Sequence, residues 1–387
     1  MSTYRISLVA ALILFLLLGW MLTLPWLIYH YRKYGFLSWR LSLIFYSFMF
    51  YMLCAFFLVV LPVPAVRDTC ALQTPGTVYY SLVPFSFVWD ILRETGAVWY
   101  RSSTYIQVLA EPAFLQIMFN FLLLLPFGVY LRYFFQEKYS WRRAFSLSFA
   151  LSLFYEVTQL TGLYGLYTCP YRIFDVNDLL LNSTGALLGF AIAPVILLLF
   201  PSQQSLLAKK EQILKRAIVS PVVQLLAVAI DYLLVKASWI LVAPFVANWI
   251  PEWLYTLIGF LGIFCLVPLL WKGKTPGTRT LRFQLISSGT DKALPIHFLV
   301  RSLALYFPLF LSAVPRLSNQ IQLERTSAFY LALIFAQAGL SLAVLLVWGM
   351  LGLHIAIVIA NKGHRLFYFD FAAHLLPHKK DNFSTSK

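Results

Sequence analysis

Long runs of apolar residues recur along this 387-residue chain, and its charged residues lie mainly in the gaps between them. A helix that crosses a bilayer needs about 20 mostly apolar residues. Only 12% of the chain is charged, against about 25% of a typical soluble domain. The pattern predicts an all-α polytopic transmembrane helical bundle of about nine spans. We place them at residues 6–28, 41–61, 112–131, 143–162, 179–200, 218–243, 252–270, 296–314 and 328–360.

The placement of basic residues predicts the orientation of the chain. The first apolar run is preceded only by Arg5 and is too long for a cleavable signal peptide, so we expect it to remain as a helix. Most of the 30 lysines and arginines then fall in alternate loops, as in cytoplasmic loops of membrane proteins. We expect a multi-pass cell-membrane protein with its N-terminus outside and its C-terminus in the cytoplasm. Because the cations follow the loops, the net charge of +15 does not indicate a nucleic-acid partner.

A polar and basic stretch at residues 201–216 interrupts the apolar pattern and is typical of a cytoplasmic linker. It separates a first transmembrane domain, residues 1–200, from a second one with a cytoplasmic tail, residues 217–387. The two sub-bundles would hold five and four spans. Their polar residues differ, and we see no internal repeat of the kind that builds transporters from matching halves.

Polar side chains gather near the predicted outer ends of the spans in the first domain. An acidic group at membrane depth is costly unless it is paired or faces water. Ser152, Glu156 and Gln159 share one helix face, and Asp178 and Asn182 share another with Gly185 and Gly189. Glycines at this spacing let a neighbouring helix approach closely. The sequence therefore predicts an outer-leaflet pocket that contains Asn120, Glu156, Gln159, Arg172, Asp175, Asp178 and Asn182.

These groups could instead serve only to tie helices together. Arg172 would then pair with Asp175 or Glu156, and Asp175 or Asp178 would cap a helix. Taken as a set, the polar residues exceed what helix packing requires, which favours a binding or catalytic role. Paired carboxyl groups such as those of Glu156 and Asp178 could also act as acid and base.

Four segments of the first domain carry a resemblance to a known family: SLVPF, FNFLLLLPFG, EVTQ and YRIFDVNDLLLNSTGALLGF. They resemble the VanZ-like family of bacterial membrane proteins over about residues 10–200. That family is named for a protein linked to resistance against the glycopeptide antibiotic teicoplanin. The resemblance implies a setting in the bacterial cell envelope, and the seven residues of the predicted pocket are those that match the family's polar pattern.

Three segments of the second domain, AIDYLLV, WKGKTPGTRTLRFQLIS and HRLFYFDFAAHLL, resemble the RDD family. Some proteins with this domain are connected with ion transport, so the resemblance implies that role for the second half. Two positions depart from the pattern. Gln224 stands where the family has an arginine, and His374 and Leu375 replace a glycine and a threonine.

Asp231 lies about 22 Å along its helix from Arg216, well inside the hydrocarbon. It must face protein or water. Lys236 could reach it or snorkel outward, and His297 or Arg301 on the eighth span could also lie against it. The alternatives are a structural ion pair and an ion path. The candidate intramembrane polar residues of this half are Asp231, Lys236, Arg301 and Asp370.

The basic loop with Lys272, Lys274, Arg279 and Arg282 is expected to attract anionic lipid headgroups. Cys70 and Cys169 fall in predicted outer loops, where an oxidising exterior would allow a disulfide. No cysteine or histidine spacing is typical of a metal site, so we expect neither a metal nor a cofactor.

Three functions from different classes fit the sequence. The first is binding of an envelope lipid, glycolipid or antibiotic-like amphiphile at the outer leaflet. The second is an enzyme that modifies lipid-linked envelope material with the carboxyl groups of the pocket. The third is an ion transporter that uses Asp231. The sequence has no phosphate-binding loop, serine nucleophile elbow or zinc protease motif, so ATP-driven transport, serine hydrolysis and zinc proteolysis lack support.

Overall fold

The computed structural model describes residues 2–89, 111–135, 140–198, 219–288, 293–321, 326–361 and 364–379, with the single positions 200, 205, 208, 323 and 324. It is 74% helical with almost no strand, which confirms the predicted all-α class. Two compact units make up the chain. The first contains Met1–Leu24 and Ser38–Ser205, and the second contains Pro25–Leu37 and Leu206–Lys387. Of the predicted linker 201–216, only Ser205 and Ala208 belong to the described residues.

The helices follow the apolar runs closely. The first helix, α1 Ser2–Tyr34, begins in the first unit and ends in the second, and Pro25 is its first residue in the second unit. The first unit also contains α2 Trp39–Val60, α3 Pro112–Leu123, α4 Leu125–Phe135, α5 Trp141–Leu160 and α6 Val176–Leu197. The second contains α7 Pro221–Val246, α8 Glu252–Phe260, a π-helical segment Leu261–Leu266, α9 Val267–Leu270, α10 Pro276–Thr280, α11 Pro295–Ser318, α12 Tyr330–Ala360 and α13 Tyr368–Ala372.

Eight helical stretches in the described part of the chain are long and apolar enough to cross a membrane. The predicted span at 143–162 also forms a continuous helix, α5, but it is not one of these eight. Arg142 and Arg143 lie at its start, and Glu156 and Gln159 lie near its end, so its composition is the more polar. The structure thus supports a multi-pass membrane protein, and the orientation of the termini stays a prediction.

In the first unit α6 packs tightly against α3, α4 and α5. The backbones of α6 and α3–α4 meet without intervening side chains at Gly185, Gly189 and Gly128. A Cβ at Gly185 would overlap the carbonyl of Phe121, and one at Gly189 would overlap that of Leu125. The helices that approach α6 closely at these glycines are therefore α3 and α4, which together form the third span.

A loop structure joins the end of α2, the end of α5 and the start of α6. Cys70 and Cys169 form a disulfide, and the hydroxyl of Thr69 donates to the Cys169 carbonyl at 2.6 Å. A short parallel pair, β1 Tyr80–Ser81 with β2 Phe174–Asp175, leads directly into α6. These contacts fix the position of the residues that open α6.

In the second unit α7 packs against α10, and α11 packs against the π-helical segment and α13. A short antiparallel pair, β3 Gln284–Ser287 with β4 Leu375–His378, holds the basic loop to the end of the described chain. Contact with Asp231, one of the two alternatives for Lys236, does not occur. Lys236 donates to Glu252 at 2.6 Å instead, because five residues turn a helix by about 140° and place the two side chains on different faces.

Candidate functional site

A cluster of acidic and amide side chains lies at the start of α6, where α3 and α5 pack beside it. The Asn120 amide on α3 donates a hydrogen bond to the Asp178 carboxylate in the first turn of α6. The Ser152 hydroxyl on α5 donates to the Asp178 carbonyl at 3.4 Å. We call Asn120, Glu156, Asp175 and Asp178 the acidic cluster.

Glu156 is the most deeply buried acidic residue of the acidic cluster. Its side chain is 3% exposed, and its Oε2 accepts a hydrogen bond from the backbone N–H of Asp175 at 3.1 Å. Asp175 caps α6, since its Oδ1 accepts from the Asn177 N–H at 2.9 Å. The carboxyl groups of Asp175 and Asp178 each interact unfavourably with a neighbouring acid in the cluster. The arrangement brings three acidic groups together, only one of which acts as a cap.

Arg172 is the nearby cation, and its side chain is exposed. It attracts the carboxylates of Glu156 and Asp178 through space. The expected pairing of Arg172 with Asp175 or Glu156 does not occur in the described part of the chain, where the ion pairs lie elsewhere. Among the described residues, acidic groups therefore outnumber basic groups around the cluster.

Two other predicted pocket residues lie deeper or face away. Gln159 donates to the Val59 carbonyl at 2.8 Å and so ties α5 to the end of α2. Asn182 donates to the Ser152 hydroxyl at 2.9 Å, one turn below Asp178, and its Oδ1 is buried without a hydrogen-bond partner. Asn182 extends the acidic cluster inward, whereas Gln159 holds two helices together.

Asn177 was not among the predicted site residues, yet it is 2% exposed and organises the outer edge of the acidic cluster. Its side-chain oxygen accepts from the Phe85 N–H at 2.6 Å, and its amide donates to Ser86 at 2.9 Å. It thus anchors the SLVPF segment, whose Phe85 has a φ of 62°. The signal available in the sequence was an asparagine between Asp175 and Asp178.

The polar residues of the second unit form two separate contacts. Both carboxylate oxygens of Asp231 accept hydrogen bonds from the turn that opens α10: from Thr275 Oγ1 at 2.5 Å and from the Gly277 N–H at 2.6 Å. Arg301 on α11 donates to Asp370 on α13 at 2.6 Å, and both side chains are buried. Burial raises the pKa of the Asp370 carboxyl, and the Arg301 guanidinium opposes that rise.

No group of three or more potential metal ligands occurs among the described residues. Carboxylates and amides in the acidic cluster are acceptors for hydroxyl and ammonium hydrogens, and Asn120 supplies the only amide donor there. The arrangement is thus suited to holding a hydrogen-bond donor or a cation at the membrane surface.

Comparison with known proteins links the first unit to a family. Residues 48–199 match the model of the VanZ/LLP1 family. That stretch begins within α2 and ends just after α6, so it includes every residue of the acidic cluster. No curated protein and no solved structure matches the chain. The N-terminal half of this multi-pass membrane protein therefore contains a domain similar to the VanZ/LLP1 family, which we call the VanZ-like domain.

Proposed function

We propose that the VanZ-like domain binds the polar headgroup of an envelope amphiphile, such as a lipid, a glycolipid or an antibiotic-like molecule. By analogy with the teicoplanin resistance after which the family is named, this binding would contribute to glycopeptide tolerance at the bacterial cell envelope. One observation carries the proposal. The carboxyl groups of Glu156, Asp175 and Asp178 lie near one another at the start of α6, and none forms an ion pair within the described residues.

The charge of the acidic cluster points to the chemistry of the ligand. Among the described residues, three acids lie near one exposed arginine, so we expect a bare phosphate to be repelled and an ammonium or a set of hydroxyl groups to be attracted. Hydrogen bonds to an ionised carboxylate are about twice as strong as those between neutral groups. We therefore expect a headgroup that presents amino or hydroxyl groups.

The exposure of the acidic cluster supports access from the membrane surface. Asn120, Asp175 and Asp178 are each partly exposed, while Glu156 is buried beneath them. The cluster lies in the first turns of α6 and the last turns of α5, with Asn120 about 12 Å along α3 from its start. A headgroup would reside at the start of α6 while its apolar part stays in the bilayer. With the predicted orientation this is the outer leaflet.

Replacing Asp178 with asparagine tests the proposal in cells. Asparagine keeps an oxygen that accepts the hydrogen bond from Asn120 but removes the charge, so the helices should still pack. Loss of a charge-assisted hydrogen bond is worth about 1.5–3 kcal/mol, or about tenfold or more in affinity. We expect a deletion strain carrying Asp178→Asn to be as susceptible to teicoplanin as the deletion strain itself.

The matched control is Thr184→Val on the same helix. The Thr184 side chain is exposed, and its hydroxyl bonds only to carbonyls of its own helix. It should restore the same tolerance as the wild-type protein. Immunoblots of the membrane fraction confirm equal amounts of each variant. Wild-type tolerance in a strain with fully inserted Asp178→Asn would contradict the proposal.

An enzymatic function is the second candidate, favoured by the neighbouring carboxyl groups of Glu156 and Asp178. Binding and enzymatic functions can be distinguished by whether a covalently changed product forms. An enzyme changes the covalent structure of lipid-linked envelope material, and lipid and cell-wall profiles of a deletion strain would show that change. Binding alone leaves both profiles as they are.

For the second half, the resemblance to the RDD family remains a proposal that rests on its three sequence segments. Ion transport through Asp231 has less support, because both of its carboxylate oxygens are already occupied by Thr275 and Gly277. These bonds favour the structural alternative for Asp231, with the carboxylate fixing the turn that opens α10.

A further inference from the structure

A cavity of about 360 Å³ opens in the second unit beside the basic loop. It is lined by Arg32, Trp271, Pro276, Arg279 and Thr280. Arg32 lies in the last turn of α1, and Trp271 directly follows the membrane-spanning stretch Glu252–Leu270. Two apolar helices therefore end at the cavity, which places it at the level of the lipid headgroups on one face of the bilayer.

The two chain segments that supply the arginines of the cavity carry only basic charges. No acidic residue occurs in residues 29–40 or 271–282, which supply both arginines of the lining. A guanidinium presents a planar fork of donors that matches phosphate oxygens, so it binds phosphate with a defined geometry. Two such groups facing one cavity supply enough donors for several oxygens of a single phosphate.

Contacts with α7 hold the turn before Arg279 in place. Asp231 accepts hydrogen bonds from Thr275 and Gly277, and a Cβ at Gly277 would overlap the Ala227 carbonyl of α7. The Arg279 guanidinium in turn lies 4.7 Å from the centre of the Trp271 ring. A site that is ordered before its ligand arrives loses less entropy on binding. The buried Asp231 thus acts as a positioning residue for the cavity.

We infer that this cavity binds a phosphate group, and that the phosphate belongs to an anionic phospholipid of the surrounding leaflet. The position of the cavity at two span ends favours a lipid over a soluble anion. Trp271 is 40% exposed, as is typical of tryptophans that lie at the membrane–water interface. The site is separate from the acidic cluster, which has the opposite charge.

The test titrates the purified, delipidated full-length protein in neutral detergent with short-chain phosphatidylglycerol, and separately with inorganic phosphate, at about 0.15 M salt. The variant is Arg32→Gln with Arg279→Gln. Its control is Lys33→Gln with Lys272→Gln, which removes two charges beside the cavity without altering its lining. Thermophoresis or native mass spectrometry measures the binding.

We expect the double arginine variant to bind phosphatidylglycerol about tenfold or more weakly, and the double lysine variant to lose less than about threefold. Arg279→Lys keeps the charge but loses the planar fork of donors, so it should also bind phosphatidylglycerol more weakly. This variant replaces the double arginine variant in the test if the latter does not fold. Equal losses in the arginine and lysine variants would show general surface attraction and overturn the site. Inorganic phosphate binding as tightly as the lipid would overturn the lipid assignment.

Discussion

Replacing Gly185 with alanine is expected to destabilise the VanZ-like domain by at least about 3 kcal/mol, because overpacking against rigid backbone is among the costlier substitutions. The new methyl group would overlap the Phe121 carbonyl. A backbone atom cannot rotate aside, so α6 would have to move away from α3. That movement would also separate Asp178 from Asn120, the residue that precedes Phe121, and would open the acidic cluster.

Thermal unfolding in detergent, together with the yield of monodisperse protein on gel filtration, measures this effect. Gly19→Ala is the matched control, because its added methyl group meets only ordinary contacts with Met49 and Tyr46 in the same unit. Alanine is the better helix former by about 1 kcal/mol, so the control should be neutral or slightly stabilising. If Gly185→Ala unfolds at the same temperature as Gly19→Ala, the tight packing of α6 against α3 is wrong.

Removing the buried arginine of the second unit is expected to have a similarly large effect. Arg301 and Asp370 are 3% and 1% exposed, and the guanidinium also packs over the rings of Phe264 and Phe369. Arg301→Met keeps most of the apolar contacts but leaves the carboxylate buried without a counter-charge. Breaking a buried pair in this way costs about 3–5 kcal/mol.

Two further variants make this test specific to the charge. Adding Asp370→Asn to Arg301→Met removes the unpaired carboxylate and should recover a large part of the loss. Lys236→Met breaks the Lys236–Glu252 pair, whose side chains are 29% and 50% exposed, and should cost less than about 1 kcal/mol. A double variant no more stable than Arg301→Met, measured by thermal unfolding, would show that lost packing explains the effect.

Much of the helical architecture could be predicted from the sequence, because hydropathy reports directly on membrane helices. The glycine stripe of α6 also follows from helix periodicity, and close approach at these glycines brings Asp178 near Asn120 of the neighbouring helix. The polar helix α5 shows the limit of hydropathy. Its buried face carries Ser148, Ser152 and Glu156 toward neighbouring helices rather than toward lipid, so composition alone understates its place in the bundle.

Contacts between distant segments were harder to predict. The partner of Lys236 depended on which helix lies beside α7, and sequence separation does not give that. The bonds from Asn177 to the SLVPF segment span more than 90 residues, and the basic cavity joins Arg32 to residues 271–280. The cysteines were paired from their predicted sidedness, and the structure joins the same two, Cys70 and Cys169.

The central claim is that the carboxyl groups of the acidic cluster hold the headgroup of an amphiphile. Equilibrium binding of teicoplanin to the purified protein in lipid nanodiscs tests it most directly, with Glu156→Gln plus Asp178→Asn compared against Thr184→Val. We expect saturable binding to the wild-type protein. The double variant should bind about tenfold or more weakly while its melting temperature stays that of the wild type, and Thr184→Val should bind with wild-type affinity. Equal affinity of all three proteins, or no saturable binding to the wild type, would contradict it.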